Sequence, residues 1–248
     1  MENLLIIIVL ITSFIQSIAG VGILVLGTPL LLFFNYNIID AMFFLLPVSI
    51  ISSLSNILII KVIFNLKKRI DFKLFKYFFI FCLPSICFGL WFIKNYQNLL
   101  NINLLVATII FTSIFIKTKM SKSYQIGKGL KKFITLIIGL IHGLTNSGGT
   151  LLTLFFFKKE DKLSETSRLE IHLFYVLLAS TQYAFLSTLK NPEFIFDIGK
   201  LLVVAVVILS TFIGNFFATR LKNLTHFLIS ILAILSGLAL IFKNFFSA

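Results

Sequence analysis

Charge is what this sequence has least of. Charged residues make up 12% of its 248 positions and only 9 of them are Asp or Glu, against 58% apolar residues. With a mean hydropathy of +1.05, there is too little polar surface to cover a water-facing shell, which excludes an ordinary soluble domain. Cysteine is nearly absent. Cys82 and Cys87 are five apart in one apolar run, a spacing that suits neither a disulfide nor a zinc site, and no other cysteine exists to complete one. They read as small buried hydrophobes. Carboxylates are missing from the interior of every apolar run, since Asp40, Glu170 and Asp197 stand at boundaries. A carboxylate relay for protons or sodium is therefore not expected. Neither HExxH nor GxGD nor a recognisable Ser–His spacing occurs, so no catalytic residue is assigned and an intramembrane enzyme is a remote alternative. No metal or cofactor is implied.

What is present is a succession of uncharged stretches: 3–39, 41–60, 77–93, 99–116, 133–157, 171–189, 201–219 and 223–242. About 20 apolar residues cross a bilayer as a helix, so the chain reads as an all-α polytopic membrane protein. Glu2 stands where a removable signal peptide would carry basic residues, and the first run is too long for one. The formal net charge of +13 does not point to nucleic acid, because the basic residues crowd into short loops beside apolar runs.

Two glycine- and amide-rich breaks, SIAGVG at 17–22 and GLTNSGG at 143–149, interrupt the chain where it is most apolar. They are 126 residues apart. At that shift Gln16 falls on His142, Ser17 on Gly143, Gly20 on Asn146, Gly22 on Gly148 and Asn56 on Gln182. Polar coincidences inside apolar runs are unlikely by chance. The spacing predicts two homologous halves, 1–117 and 133–248, joined by a basic linker, 118–132, each with a broken segment and three transmembrane helices. If each broken segment enters and returns, 18 of the 22 Lys and Arg lie on one side; if each crosses, the split is 15 to 7. The positive-inside rule favours re-entrant segments and inverted halves, with basic loops 61–76 and 117–132 in the cytoplasm.

Broken helices at matching places in two halves point to a transporter's binding site. Behind each turn a half-helix begins, with free N–H groups and a partial positive charge. Two such N-termini meeting at the midplane predict an anion site without a formal positive charge. The candidate contacts are Ser17, Gly20, Gly22 and Asn56 in the first half. In the second they are His142, Thr145, Asn146, Ser147, Gly148, Gly149 and Gln182. The plainer reading of the glycines, close helix packing, applies to Gly139 and Gly143. His172 and His226 near run ends read as interfacial, and Trp91 and Tyr96 as interface anchors.

The segments AGVGILVLGTPLLLFF (19–34), NLKKRIDFKLF (65–75), GLIHGLTNSGGTLLTLFF (139–156) and NPEFIFDIG (191–199) resemble the TauE/SafE family, often called sulfite exporters, across the whole chain. The resemblance implies a transporter of small, often sulfur-containing anions such as sulfite, sulfoacetate or related organosulfonates. The partners so implied are a small anion and the lipid bilayer of the cell membrane. Ile23 stands where the family usually has a further glycine, and Phe155 where the first half has Pro29; both bear on substrate choice. A non-transporting subunit of a larger membrane assembly is the alternative.

Overall fold

The computed structural model describes residues 2–64, 72–119, 128–156, 165–189, 198–218, 220 and 225–246, and among them there is no strand. Parts of both basic loops (65–71 and 120–127), Glu160, Asp161, Asp197 and most of the NPEFIFDIG segment lie outside the described residues, as does the side chain of His226. The helices are α1 (Glu2–Ala19), α2 (Ile23–Phe33), α3 (Ile38–Phe64), α4 (Phe72–Tyr77), α5 (Leu83–Tyr96), α6 (Ile102–Lys119), α7 (Lys128–Thr145), α8 (Gly148–Phe156), α9 (Glu165–Leu189), α10 (Ile198–Ala218) and α11 (Thr225–Phe246). A π-helical turn, Phe78–Cys82, joins α4 to α5. Pro84 follows at once and has no N–H for the carbonyl of Ile80, a cause for the widened turn. By length and composition four described segments can cross a membrane: Ile38–Ile63, Phe75–Leu99, Glu165–Leu189 and Leu201–Ala218. The chain is a multi-pass membrane protein.

Helix directions follow from which residues touch. Ser13 meets Ser210, and Gly214 packs against Ser17, so α1 and α10 run parallel. Ser52 meets Thr211 and Asn56 meets Asn215, so α3 and α10 also run parallel. Hence α1 and α3 point the same way, and α2 between them must double back. The first broken segment is a hairpin. In contrast, Met42 meets Gln182 while Ile57 and Ile60 cluster with Leu169, so α3 and α9 are antiparallel. Asn101 pairs with Asn244, and Gly237 packs on Phe111 and Ile110, so α6 and α11 are antiparallel as well. Each antiparallel pair joins helices that correspond at the 126-residue spacing. Partners also exchange at that spacing: α1 lies along α10, and α7 lies along α5.

Packing of α7 on α5 is backbone against backbone. A Cβ on Gly143 would stand 2.3 Å from the Ile86 carbonyl oxygen, one on Gly139 2.3 Å from that of Cys82, and one on Gly89 2.7 Å from that of Leu140. The packing role expected of Gly139 and Gly143 is what these contacts describe. With lipid as apolar as the helix surface, such close approach is a main source of association. Gly143→Val should lower the folded yield and the melting temperature in detergent, measured by size-exclusion fluorescence. An unshifted melt would mean that the helices separate at little cost.

Candidate functional site

The two turns are built alike. Gly20 and Asn146 each take a left-handed conformation, with φ of 77° and 63°, which reverses the chain and which glycine and asparagine adopt most readily. Their N–H groups donate to Gln16 O at 2.8 Å and His142 O at 2.9 Å. Two residues on, Gly22 and Gly148 press against the preceding helix. A Cβ on Gly22 would lie 2.6 Å from Thr12 O, and one on Gly148 would lie 2.6 Å from both Ile138 O and the His142 Cβ. Any larger residue would push the returning helix away.

The side chains around the turns differ. At the first turn Gln16 Oε1 accepts the N–H of Ile23 at 3.1 Å, capping α2, and Gln16 Nε2 donates to Ser53 Oγ at 3.1 Å. Asn56 Nδ2 donates to Ser17 Oγ at 3.2 Å and to Ser52 O at 2.8 Å, and Asn56 Oδ1 accepts from Asn215 Nδ2 at 2.6 Å. Arg168, 2% exposed, closes this network. It donates from Nη1 to Glu165 Oε2 at 2.6 Å, and from Nη2 to Asn215 Oδ1 at 2.8 Å and to the carbonyl of Ser17. The basic-loop count treats Arg168 as a loop cation. It is instead a buried guanidinium at the C-terminal end of α1, where the helix dipole favours a cation. A site region free of formal positive charge is thus not what the first turn provides.

At the second turn His142 takes the place of Gln16, yet both its ring nitrogens lack a hydrogen-bond partner among the described residues although the residue is fully buried. Gln182 Nε2 donates to His142 O at 3.3 Å and approaches Met42 Sδ at 3.6 Å, leaving Gln182 Oε1 without a partner. Asn146 Nδ2 donates to Thr28 Oγ1 at 3.1 Å, leaving Oδ1 without one. Thr145 Oγ1 accepts the N–H of Ser147 at 3.3 Å, and Ser147 Oγ donates to Thr145 O at 3.3 Å. Tyr175 lies against Gly149 so closely that a Cβ there would overlap its hydroxyl. That oxygen too has no partner among the described residues. His172, expected to be interfacial, is fully buried, again with both nitrogens unpartnered among the described residues. Trp91 and Tyr96 are 45% and 40% exposed, as interface anchors need to be.

The two turns pack against the same helix one turn apart, Gly20 on Ile171 and Gly149 on Tyr175 of α9. The second turn also touches the side of α2, where Asn146 meets Thr28.

One helical turn beyond Gln182, Leu186 lines an open pocket of about 340 Å³ with Asn37, Ile39, Asp40, Lys94, Gln97 and Leu189. Lys94 Nζ donates to Leu189 O at 2.9 Å across its rim. Among the described residues no group of His, Cys, Asp or Glu is placed to hold a metal ion. Sequence reasoning singled out the amides and glycines but missed Arg168, Tyr175 and Asn215. The first was hidden among loop charges. Tyr175 and Asn215 carry no motif, although the seven-residue step from Arg168 to Tyr175 places them on one helix face.

An all-helical multi-pass chain with two buried hairpin turns has the architecture of a membrane transporter. The family model described as "Sulfite exporter TauE/SafE" matches residues 5–240, and the chain belongs to that family. No curated protein and no solved structure matched it.

Replacing the buried guanidinium removes at once the donor to Glu165, to Asn215 Oδ1 and to the Ser17 carbonyl, and breaking a buried charged network costs about 3–5 kcal/mol. Arg168→Met should therefore lower the melting temperature sharply, and Arg168→Met with Glu165→Gln should recover part of the loss. Equal melts for the single and double variants would show that the pair is not coupled.

Proposed function

We propose that this protein is a transporter, and not an enzyme, that carries a small oxyanion, most naturally a sulfur-containing one such as sulfite, sulfoacetate or a related organosulfonate, outward across the cell membrane. The observation that carries the reading is the second turn. There the Asn146 N–H and Gln182 Nε2 both donate to the His142 carbonyl, and among the described residues the His142 ring nitrogens and the amide oxygens of Asn146 and Gln182 are left without a partner; an amide turned about its last bond offers its NH2 to an oxyanion instead. The α8 N-terminus opens at the same place, and its first N–H groups have no acceptor inside the helix. Family membership supports the transporter class.

In this reading the substrate contacts are His142, Thr145, Asn146, Ser147, Gly148, Gly149 and Gln182. Ser17, Gly20, Gly22 and Asn56 form the inner counterpart, where Arg168 holds the Ser17 carbonyl and, through Asn215, Asn56. Residues 1–117 and 133–248 are inverted repeats joined by the 118–132 linker. The antiparallel courses of α3 with α9 and of α6 with α11 support this, as does the matched construction of the turns. Loops 61–76 and 117–132 face the cytoplasm, so the first hairpin enters from outside and the second from inside. Export of an anion is favoured by an inside-negative potential, by about 2.3 kcal/mol per charge per 100 mV.

Flux of sulfite from vesicles reconstituted with the purified protein tests the reading. Asn146→Gly preserves the left-handed backbone and removes the amide; it should cut flux at least about tenfold with an unchanged melt. Gly148→Leu should abolish flux by displacing α8. Wild-type flux in Asn146→Gly would remove the second turn from the site. No flux from the wild-type protein would favour an accessory-subunit role.

A further inference from the structure

Four of the buried polar residues left incompletely paired belong to one face of one helix. Arg168, His172, Tyr175 and Gln182 follow one another on α9 at steps of four, three and seven residues, the spacing of a single helical stripe. Each is at most 2% exposed, and each keeps at least one side-chain atom without a partner among the described residues: Arg168 Nε, both His172 nitrogens, Tyr175 Oη and Gln182 Oε1. In a membrane protein such buried atoms are destabilising unless water or a ligand reaches them. Four in line on one face are not four separate accidents of packing. Ala179, between Tyr175 and Gln182 on the same stripe, is fully buried and has the smallest side chain of the five.

The stripe faces both hairpins. Its Arg168 end touches Ser17 beside the first turn, Tyr175 touches Gly149 behind the second, and Gln182 touches His142. Beyond Gln182 the same helix reaches the open pocket through Leu186. The stripe runs for fourteen residues, about 20 Å, past both turns. From α3, Ser49 adds a buried hydroxyl that also lacks a partner among the described residues.

We propose that this face of α9 is one wall of the substrate path, with Arg168 as its cationic inner end and His172 and Tyr175 as intermediate contacts for a small oxyanion moving to Gln182. The inference rests on the transport reading and deepens it. It gives the two turns one continuous wall, since Gly20 and Gly149 pack against Ile171 and Tyr175 of the same helix. Arg168, His172 and Tyr175 stand about 4–6 Å apart along the axis, with a longer step of about 10 Å to the Gln182 amide; such a series lets an anion exchange one contact for the next without complete desolvation, and multiple weak sites favour passage over trapping.

The test uses thiols, in protein carrying Cys82→Ala and Cys87→Ala. Ala179→Cys places a thiol on the stripe, and Ala184→Cys places one on the exposed, lipid-facing side of α9. A membrane-impermeant sulfonate-bearing methanethiosulfonate, itself a small anion, is the probe. It should modify position 179 at least about tenfold faster than position 184, and methanesulfonate should slow the reaction at 179 only. Tyr175→Phe should lower sulfite flux at least about fivefold with an unchanged melt. An unreactive position 179, or equal rates at the two positions, overturns the path along α9 even if wild-type flux is intact; so does wild-type flux in Tyr175→Phe. Absence of wild-type sulfite flux, with 179 still labelled selectively, overturns the substrate reading and leaves the path standing.

Discussion

Backbone that leaves a helix inside a bilayer must find its hydrogen bonds within the protein, and this constraint governs the whole arrangement. Each hairpin turn frees carbonyls at the end of one helix and N–H groups at the start of the next. At the first turn the protein answers with side chains: Gln16 takes the Ile23 N–H, and Arg168 takes the Ser17 carbonyl. To do so, polar groups from α1, α3, α9 and α10 must stand in one cluster, which fixes how those four helices pack. At the second turn the cap is local, through Thr145 and Ser147, and the side chains of His142, Asn146 and Gln182 keep polar atoms without a partner among the described residues. One turn is sealed by its surroundings, and the other is left with groups for something else to bind.

The same constraint explains why the glycines are where they are. A hairpin buried between helices needs its returning arm close to its outgoing arm, or polar backbone would face a gap. Gly22 and Gly148 allow that approach, and Gly20 and Asn146 supply the reversal. Asparagine at 146 does both jobs of the second turn, since it tolerates the left-handed conformation and brings an amide into the site.

Much of this was legible before any coordinates. Uncharged runs gave the membrane class, and the 126-residue spacing gave the positions of both turns, because polar residues inside apolar runs stand out from the background. The length of the second hairpin's first arm was not legible. The uncharged stretch begins at 133, whereas α7 begins at Lys128, among basic residues that look like loop, and has 18 residues. Hydropathy stops at the first charge, but a helix does not. Arg168 was misread for the related reason that charge near a run end looks interfacial. Only tertiary packing shows that α9 begins beneath the first hairpin and carries its cation inward.

Placing Arg168 there changes what the site asks of a substrate. A binding site made solely of helix N-termini and amides would hold any small anion of suitable size weakly, and would hold it near the middle. A path with a guanidinium at one end and neutral donors beyond it is polarised. On the proposed path an anion meets its strongest electrostatic attraction at the Arg168 end, where Glu165 already competes for the guanidinium, and weaker neutral contacts toward the pocket at Leu186. Because Glu165 shares the guanidinium, the pull is moderated and the anion is not trapped. In the outward transport proposed above, the membrane potential drives the anion, and the polarity of the path sets where it is captured.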